Sequence, residues 1–275
     1  IDEQFGLEKS YQDYIANTVK VFETFKPKLK DTATIWWNVG DSYHNYRPTN
    51  NKQNLYRNPD YPKQSIAGNR QDLPTYSLKR NQRYQEIKEK DLMMIPNRVA
   101  IALQEAGWYI RSEIIWHKPN PMPESVRDRP TSSHEKIWLI TKNKKYYYDA
   151  DAIKEPCTTF DSNIRDRDTT KLNNTPGRSK MGGLKKNNYT VKNKRNVWTV
   201  TTKPFRGAHF ATFPKDLIEP CIKAGCPEGG IVLDPFAGAG TTGLVAKENN
   251  RAAILIELNG EYLAMAKKRI ETVLI

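Results

Sequence analysis

The sequence predicts an α/β fold, a mostly parallel sheet with helices on both faces. Three observations predict it. Ile231-Val-Leu233 is a short apolar run that passes through Asp234-Pro235-Phe236 into a turn containing Gly238 and Gly240, and then into the helical stretch Thr241–Ala246. A buried strand, a glycine turn and a helix start in succession form the ligand-binding end of an open α/β sheet. Segments of helical period also alternate with strand-forming segments over residues 8–148. Finally, two long polar blocks, 44–90 and 157–200, interrupt this pattern, so the core is assembled from the stretches between them.

Taken in order, residues 8–30 carry Tyr14, Thr18, Val21, Phe22 and Phe25 at helical spacing, with Pro27 as the stop. Thr34–Val39 is rich in strand formers and closes on Gly40-Asp41. Residues 91–106 return to a helix through Leu92, Ile95, Val99, Ala102 and Leu103, ending at Gly107. Trp108–Trp116 reads as a strand, followed by the proline-stiffened loop His117–Pro123. Lys136–Thr141 is the next strand, and Tyr146–Tyr148 is expected to pair with it as a hairpin over Lys142–Lys145. Asn196–Val200 is a short strand. Lys215–Ala224 is a helix with Pro214 at its first turn, where the missing N–H costs nothing. The last helix, 259–272, packs through Tyr262, Leu263, Ala266 and Ile270.

Charge points to the partner. The 275 residues carry 44 Lys and Arg against 31 Asp and Glu, a formal charge of +13, which suits a polyanion and most simply nucleic acid. Ten basic and four acidic residues lie in 44–90, which is a surface excursion or a DNA-facing arm. Ten basic and three acidic residues lie in 157–200, with Arg178, Lys185 and Lys186 as candidate substrate contacts. Fourteen tyrosines and six tryptophans add stacking surface for bases. The three cysteines, Cys157, Cys221 and Cys226, have no CxxC pairing, which argues against a disulfide framework or a zinc site. A cytoplasmic protein without a metal is expected. No apolar run approaches membrane-spanning length, and no signal peptide is visible.

Gly238-x-Gly240-x-x-Gly243 is a literal dinucleotide pattern, with Glu257 near the position of a ribose-binding acid. Two features oppose a nicotinamide cofactor. Asp234-Pro235-Phe236 separates the strand from the glycines, and only 32 residues follow Gly243, too few for a second nucleotide-binding half on that side.

Asp-Pro-Phe-Ala-Gly-Ala-Gly-Thr-Thr (residues 234–242) resembles the S-adenosylmethionine motif of the amino-DNA methyltransferases, which methylate the exocyclic nitrogen of cytosine or adenine. The resemblance implies a Rossmann-like methyltransferase fold. It places Asp234, Pro235, Phe236, Gly238, Gly240, Thr241 and Thr242 at the cofactor, with Glu257 accepting from the ribose hydroxyls. The segment His209–Leu217 is similar to the one that precedes the cofactor strand in this family, so Phe210 and Phe213 are candidates to pack on the cofactor. The loop His117-Lys-Pro-Asn120 resembles the family's loop beside the target base, which makes His117, Lys118 and Asn120 candidate substrate contacts.

The order of these motifs matches the permuted "beta" group of the family. It implies a base-side catalytic half in 1–156, with 44–90 inserted, a target-recognition region in 157–200, and a cofactor half in 201–275. The family's Ser/Asp-Pro-Pro-aromatic tetrapeptide is absent from these residues and is expected before Ile1, together with the first strands. A degenerate, inactive relative that only binds DNA is the competing explanation. An RNA or small-molecule methyltransferase is a further rival. The activity implied is methyl transfer from S-adenosylmethionine to a flipped base in double-stranded DNA, with cytosine-N4 favoured over adenine-N6. Members of the family often dimerise and accompany a cognate restriction endonuclease, so these are the other partners the resemblance adds.

Overall fold

The computed structural model describes residues 5, 6, 8, 10–44, 86–157, 190–202 and 213–272. Helix α1 is Tyr11–Phe25. The Ser10 hydroxyl caps it by accepting the Asp13 N–H at 3.0 Å, and Pro27 diverts the chain into a 3₁₀ turn, Lys26–Lys28. The predicted helix is therefore trimmed at both ends. Strand β1 is Thr34–Val39, the predicted span. Helix α2, Ile95–Glu105, starts later than expected. Leu92 is taken up in an antiparallel bridge to Tyr43, and Met94 sits at φ 57, outside the right-handed region. Strands β2 (Tyr109–His117) and β3 (His134–Thr141) follow. Two short strands, β4 (Glu155–Pro156) and β5 (Val191–Lys192), lead to β6 (Val197–Thr199). The chain then runs α3 (Lys215–Gly225), β7 (Ile231–Asp234), α4 (Thr241–Glu248), β8 (Ala252–Leu255) and α5 (Gly260–Glu271).

The strands differ from a mostly parallel sheet. The larger sheet has the order β1-β3-β2-β6, with β3 antiparallel to both β1 and β2 and β6 parallel to β2. Among the described residues β7 and β8 form a separate parallel pair. The reason lies in the connection: residues 118–133 carry no crossover helix, so the chain leaving β2 can only return antiparallel. The expected Tyr146–Tyr148 hairpin strand does not form, because β3 already has a partner on each edge. Instead the Tyr147 N–H donates to the Thr32 carbonyl at 2.9 Å, and Tyr148 stacks against Trp36.

Helices do cover both faces of the larger sheet. Alternation along β3 divides the core: Trp138 and Ile140 join Phe22, Val99, Leu103 and Trp108 on the α1–α2 side. Ile137 and Leu139 join Ile114, Trp116, Trp198, Leu217 and Cys221 on the α3 side. That is the two-residue period of a strand buried on both faces. Helix α3 also reaches the smaller sheet, where Ile222 packs with Val245 and Ala246 of α4. At its far end the Thr34 hydroxyl of β1 donates to the Gly225 carbonyl at 3.2 Å. The two sheets meet at Trp37 of β1 and Phe236 after β7, whose rings lie 5.8 Å apart, edge to face. Each of β1 and β7 has one ladder partner among the described strands, leaving its second edge unpaired. No described helix is long and apolar enough to cross a membrane.

Candidate active site

The turn after β7 is fastened at both ends. The Asp234 carboxylate accepts the Phe236 N–H at 3.0 Å and the Thr242 hydroxyl at 2.5 Å, tying the strand end to the first turn of α4. Gly238 (φ +51) and Gly240 (φ +74) hold left-handed conformations that glycine adopts without strain. Gly240 is also pressed on α5: a Cβ there would lie 2.6 Å from the Ala266 Cβ and 2.9 Å from its Cα. Glu257, two residues past β8, accepts the Gly238 N–H at 2.8 Å and, on its other oxygen, the Asn259 N–H at 2.9 Å. Asp234, Pro235, Phe236, Gly238, Gly240, Thr241, Thr242 and Glu257 thus converge at the carboxyl ends of two adjacent parallel strands. Thr241 is buried behind the turn, while Phe236 is 45% exposed.

This arrangement fits a nucleoside-bearing cofactor. An ionised carboxylate offers about four acceptor positions. Two backbone amides engage one on each Glu257 oxygen, so the group keeps acceptor capacity for a vicinal diol while being held in place. Phe213 packs against the core formed by Trp198 and Leu217, just ahead of α3. Phe210 lies outside the described residues, as do Arg178, Lys185 and Lys186. Among the described residues no three His, Cys, Asp or Glu side chains are grouped to hold a metal ion.

Beside the turn lies an aromatic surface. Phe5 stacks on Phe236 with ring centres 5.3 Å apart and also contacts Tyr14 of α1. Next to it a cleft of about 280 Å³ opens between the start of α1 and the end of β1, lined by Ser10, Tyr11, Tyr14, Gly40, Ser42 and Met93 among others. A larger polar cavity of about 360 Å³, lined by Tyr147, Asp149, Glu248 and Arg251 among others, lies by the far end of α4, away from the glycine turn.

His117, Lys118 and Asn120 are held by the protein itself. Lys118 pairs with Glu135, its Nζ 4.3 Å from the centre of the Trp116 ring. His117 Nδ1 lies 3.2 Å from the Thr199 hydroxyl, and its carbonyl accepts the Val200 N–H at 3.1 Å. The Asn120 amide pairs with the Thr202 backbone in both directions, donating to the carbonyl at 3.1 Å and accepting the N–H at 3.0 Å. These contacts clip the loop after β2 to the chain leaving β6. Asn120→Ala removes both bonds and is expected to speed amide exchange at Thr202, whose N–H loses its acceptor, by about tenfold or more. Exchange measured by NMR checks this, and an unchanged rate would remove the clip.

The described residues on either side of each long basic block are bonded to one another. Tyr43 and His44 bridge to Lys90, Asp91 and Leu92 around 45–85, with the Arg129 guanidinium 3.6 Å from the centre of the Tyr43 ring. The β4–β5 pair and the bond from the Cys157 N–H to the Thr190 carbonyl close 158–189.

Two residues at the site were missed by the sequence reading. Asn259 caps α5, its side chain accepting the Glu261 N–H at 2.8 Å, and Asn before a helical run is a signal that points to this role. Arg269 donates into the glycine turn, and no local pattern announces that.

Comparison with known proteins decides the family. A model described as DNA methylase, of the N6/N4 type, matches residues 1–268. The chain belongs to the N6/N4 DNA methylases. Among similar relatives, the type II methyltransferase M.Cfr9I of Citrobacter freundii is 43% identical over 273 residues, covering 98% of this chain and 76% of the relative. M.SmaI of Serratia marcescens is 42% identical over 267 residues, covering 97% and 77%. The PvuII DNA methyltransferase, described as cytosine-N4-specific, shares the fold at a TM-score of 0.58 and 17% identity, covering 94% of the methylase and 71% of the solved chain. The methylase therefore has the fold of a DNA methyltransferase, and its substrate is DNA.

Proposed function

We propose that this methylase transfers the methyl group of S-adenosylmethionine to the N4 amine of a cytosine flipped out of double-stranded DNA. The observation that carries the reading is the convergence of the glycine turn, Asp234 and Glu257 beside the Phe5–Phe236 contact and the cleft at the end of β1. The cofactor supplies an electrophilic methyl on a sulfonium. Glu257 accepts from the ribose hydroxyls, and Asp234 fixes the turn that receives the methionine part. Basic side chains neutralise phosphates, so DNA binding weakens steeply with salt. Extruding the base costs a few kcal/mol of stacking. Direct attack by an amine on a methyl group depends on alignment more than on a strong base.

In the family the group that aligns the amine is a Ser/Asp-Pro-Pro-aromatic tetrapeptide, which residues 1–275 do not contain. The place it suits is between the unpaired edges of β1 and β7, where a strand would end next to Phe5, Phe236 and the cleft. This reading makes the chain a permuted, beta-group member, with base-side half 1–156, recognition region 157–200 and cofactor half 201–275. The choice of cytosine-N4 rests on the resemblance of Trp108–Tyr148 to that subclass. A cytoplasmic location, a homodimer and a cognate endonuclease accompany the reading.

The test uses protein from the whole reading frame, unmethylated DNA and S-adenosylmethionine, with mass spectrometry of the resulting nucleosides. N4-methylcytosine is expected. N6-methyladenine would overturn the base assignment and keep the mechanism. Neither product, with cofactor still bound, would point to a scaffold that binds DNA without modifying it.

A further inference from the structure

We infer that Arg269, on the C-terminal helix α5, is the positioning residue that holds the glycine turn in its cofactor-receiving shape. This rests on the cofactor reading above and adds a residue to it. The turn Ala237–Gly240 is buried, and two of its residues have the conformational freedom of glycine. A buried carbonyl needs a donor, and a glycine-rich turn without one has several orientations open to its peptides. Arg269 provides that donor. Its guanidinium donates to the Ala239 carbonyl at 2.5 Å and reaches the Thr241 hydroxyl at 3.4 Å. Ala239 and Thr241 are themselves 2% and 6% exposed, so these bonds lie in a desolvated place.

The turn is thereby held from two sides. Glu257 takes the Gly238 N–H from the β8 side, and Arg269 takes the Ala239 carbonyl from the α5 side. Helix α5 is itself fixed for the task. Ala266 packs under Gly240, the Ile270 side chain packs under Gly243, and the Lys247 ammonium of α4 donates to the Ile270 carbonyl at 3.0 Å. Burial also lowers the Arg269 pKa from its ordinary value, in keeping with a desolvated cation. Arg269 touches the turn's backbone from behind. Its contribution is therefore preorganisation, which raises affinity by removing the cost of ordering the turn on binding.

The experiment compares wild type, Arg269→Met, Arg269→Lys and Cys221→Ala, the last a mild core truncation on α3. Calorimetry gives the dissociation constant for S-adenosylmethionine, and steady-state assays with DNA give kcat and both KM values. Losing a charged hydrogen bond is expected to weaken cofactor binding about tenfold in Arg269→Met. The KM for DNA, and kcat at saturating cofactor, are expected to stay as in wild type. Arg269→Lys, which keeps a cationic donor, should recover most of the affinity, and Cys221→Ala should lower the melting temperature while leaving the cofactor affinity unchanged. Two results would overturn the positioning role: wild-type cofactor affinity in Arg269→Met, or a loss in Cys221→Ala equal to that in Arg269→Met. Absence of cofactor binding in wild type would instead sink the cofactor reading on which the inference stands.

Discussion

Replacing Glu257 by alanine is expected to weaken S-adenosylmethionine binding by about 10–100-fold, the range for removing hydrogen bonds to a charged group. The carboxylate has two tasks at once. Its oxygens hold the amides of Gly238 and Asn259, which joins the turn after β7 to the segment after β8. In the proposed function the remaining acceptor positions receive the ribose diol. Alanine removes both functions, whereas Glu257→Gln keeps one carbonyl acceptor and turns the other position into a donor. The glutamine variant should therefore bind with intermediate or equally poor affinity, because an NH₂ group facing a backbone N–H repels it. Calorimetric titration decides the matter, with DNA affinity in the absence of cofactor as the control. Wild-type cofactor affinity in Glu257→Ala would place the ribose elsewhere.

The second large effect concerns stability. Gly240→Ala is expected to cost about 2–5 kcal/mol. A left-handed conformation costs a residue with a Cβ roughly 1–2 kcal/mol, and forcing extra volume into a packed contact adds about 1–3 kcal/mol. The new methyl would meet the Ala266 Cβ at 2.6 Å, and since the Ala266 Cα is only 2.9 Å away, the obstruction includes backbone that no rotamer change relieves. Gly229→Ala separates the two contributions. Gly229 has a similar φ of +70, yet nothing lies within 4 Å of the Cβ it would gain. It should lose only the conformational part, about 1–2 kcal/mol. Urea unfolding of both variants measures the difference. Equal losses would show that α5 does not press on the turn.

Much of this site was legible in the chain. Apolar residues at strand or helix spacing located β1 to the residue, and α3 and α5 to within a residue at each end, because burial of one stripe or face is a local property. The glycine turn was equally legible, since a strand, an acid, small residues and a helix start must follow one another in sequence to form it. Pairing was not. Trp108–Trp116 and Lys136–Thr141 read as strands, but their antiparallel partnership, with β1 on the other edge of β3, depends on what the intervening loop permits. Tyr146–Tyr148 has strand-forming residues and still did not pair with β3, whose two edges are taken by β1 and β2.

The same division holds for individual side chains. Lys118 and Asn120 have the chemistry to meet a base or a phosphate, and sequence alone sets no limit on that. In the folded protein Lys118 is paired with Glu135 and Asn120 with the Thr202 backbone, partners 17 and 82 residues away. Arg269 lies 30 residues from the carbonyl it holds. Sequence by itself determined the family motif, the strand–turn–helix that carries it and the basic charge that suits DNA, because each depends on residues close together or on composition. Only the tertiary structure decided which edges pair, which cations are already neutralised and which helix supports the turn. Those outcomes are set by contacts between distant segments, and their geometry exists only once the chain has packed.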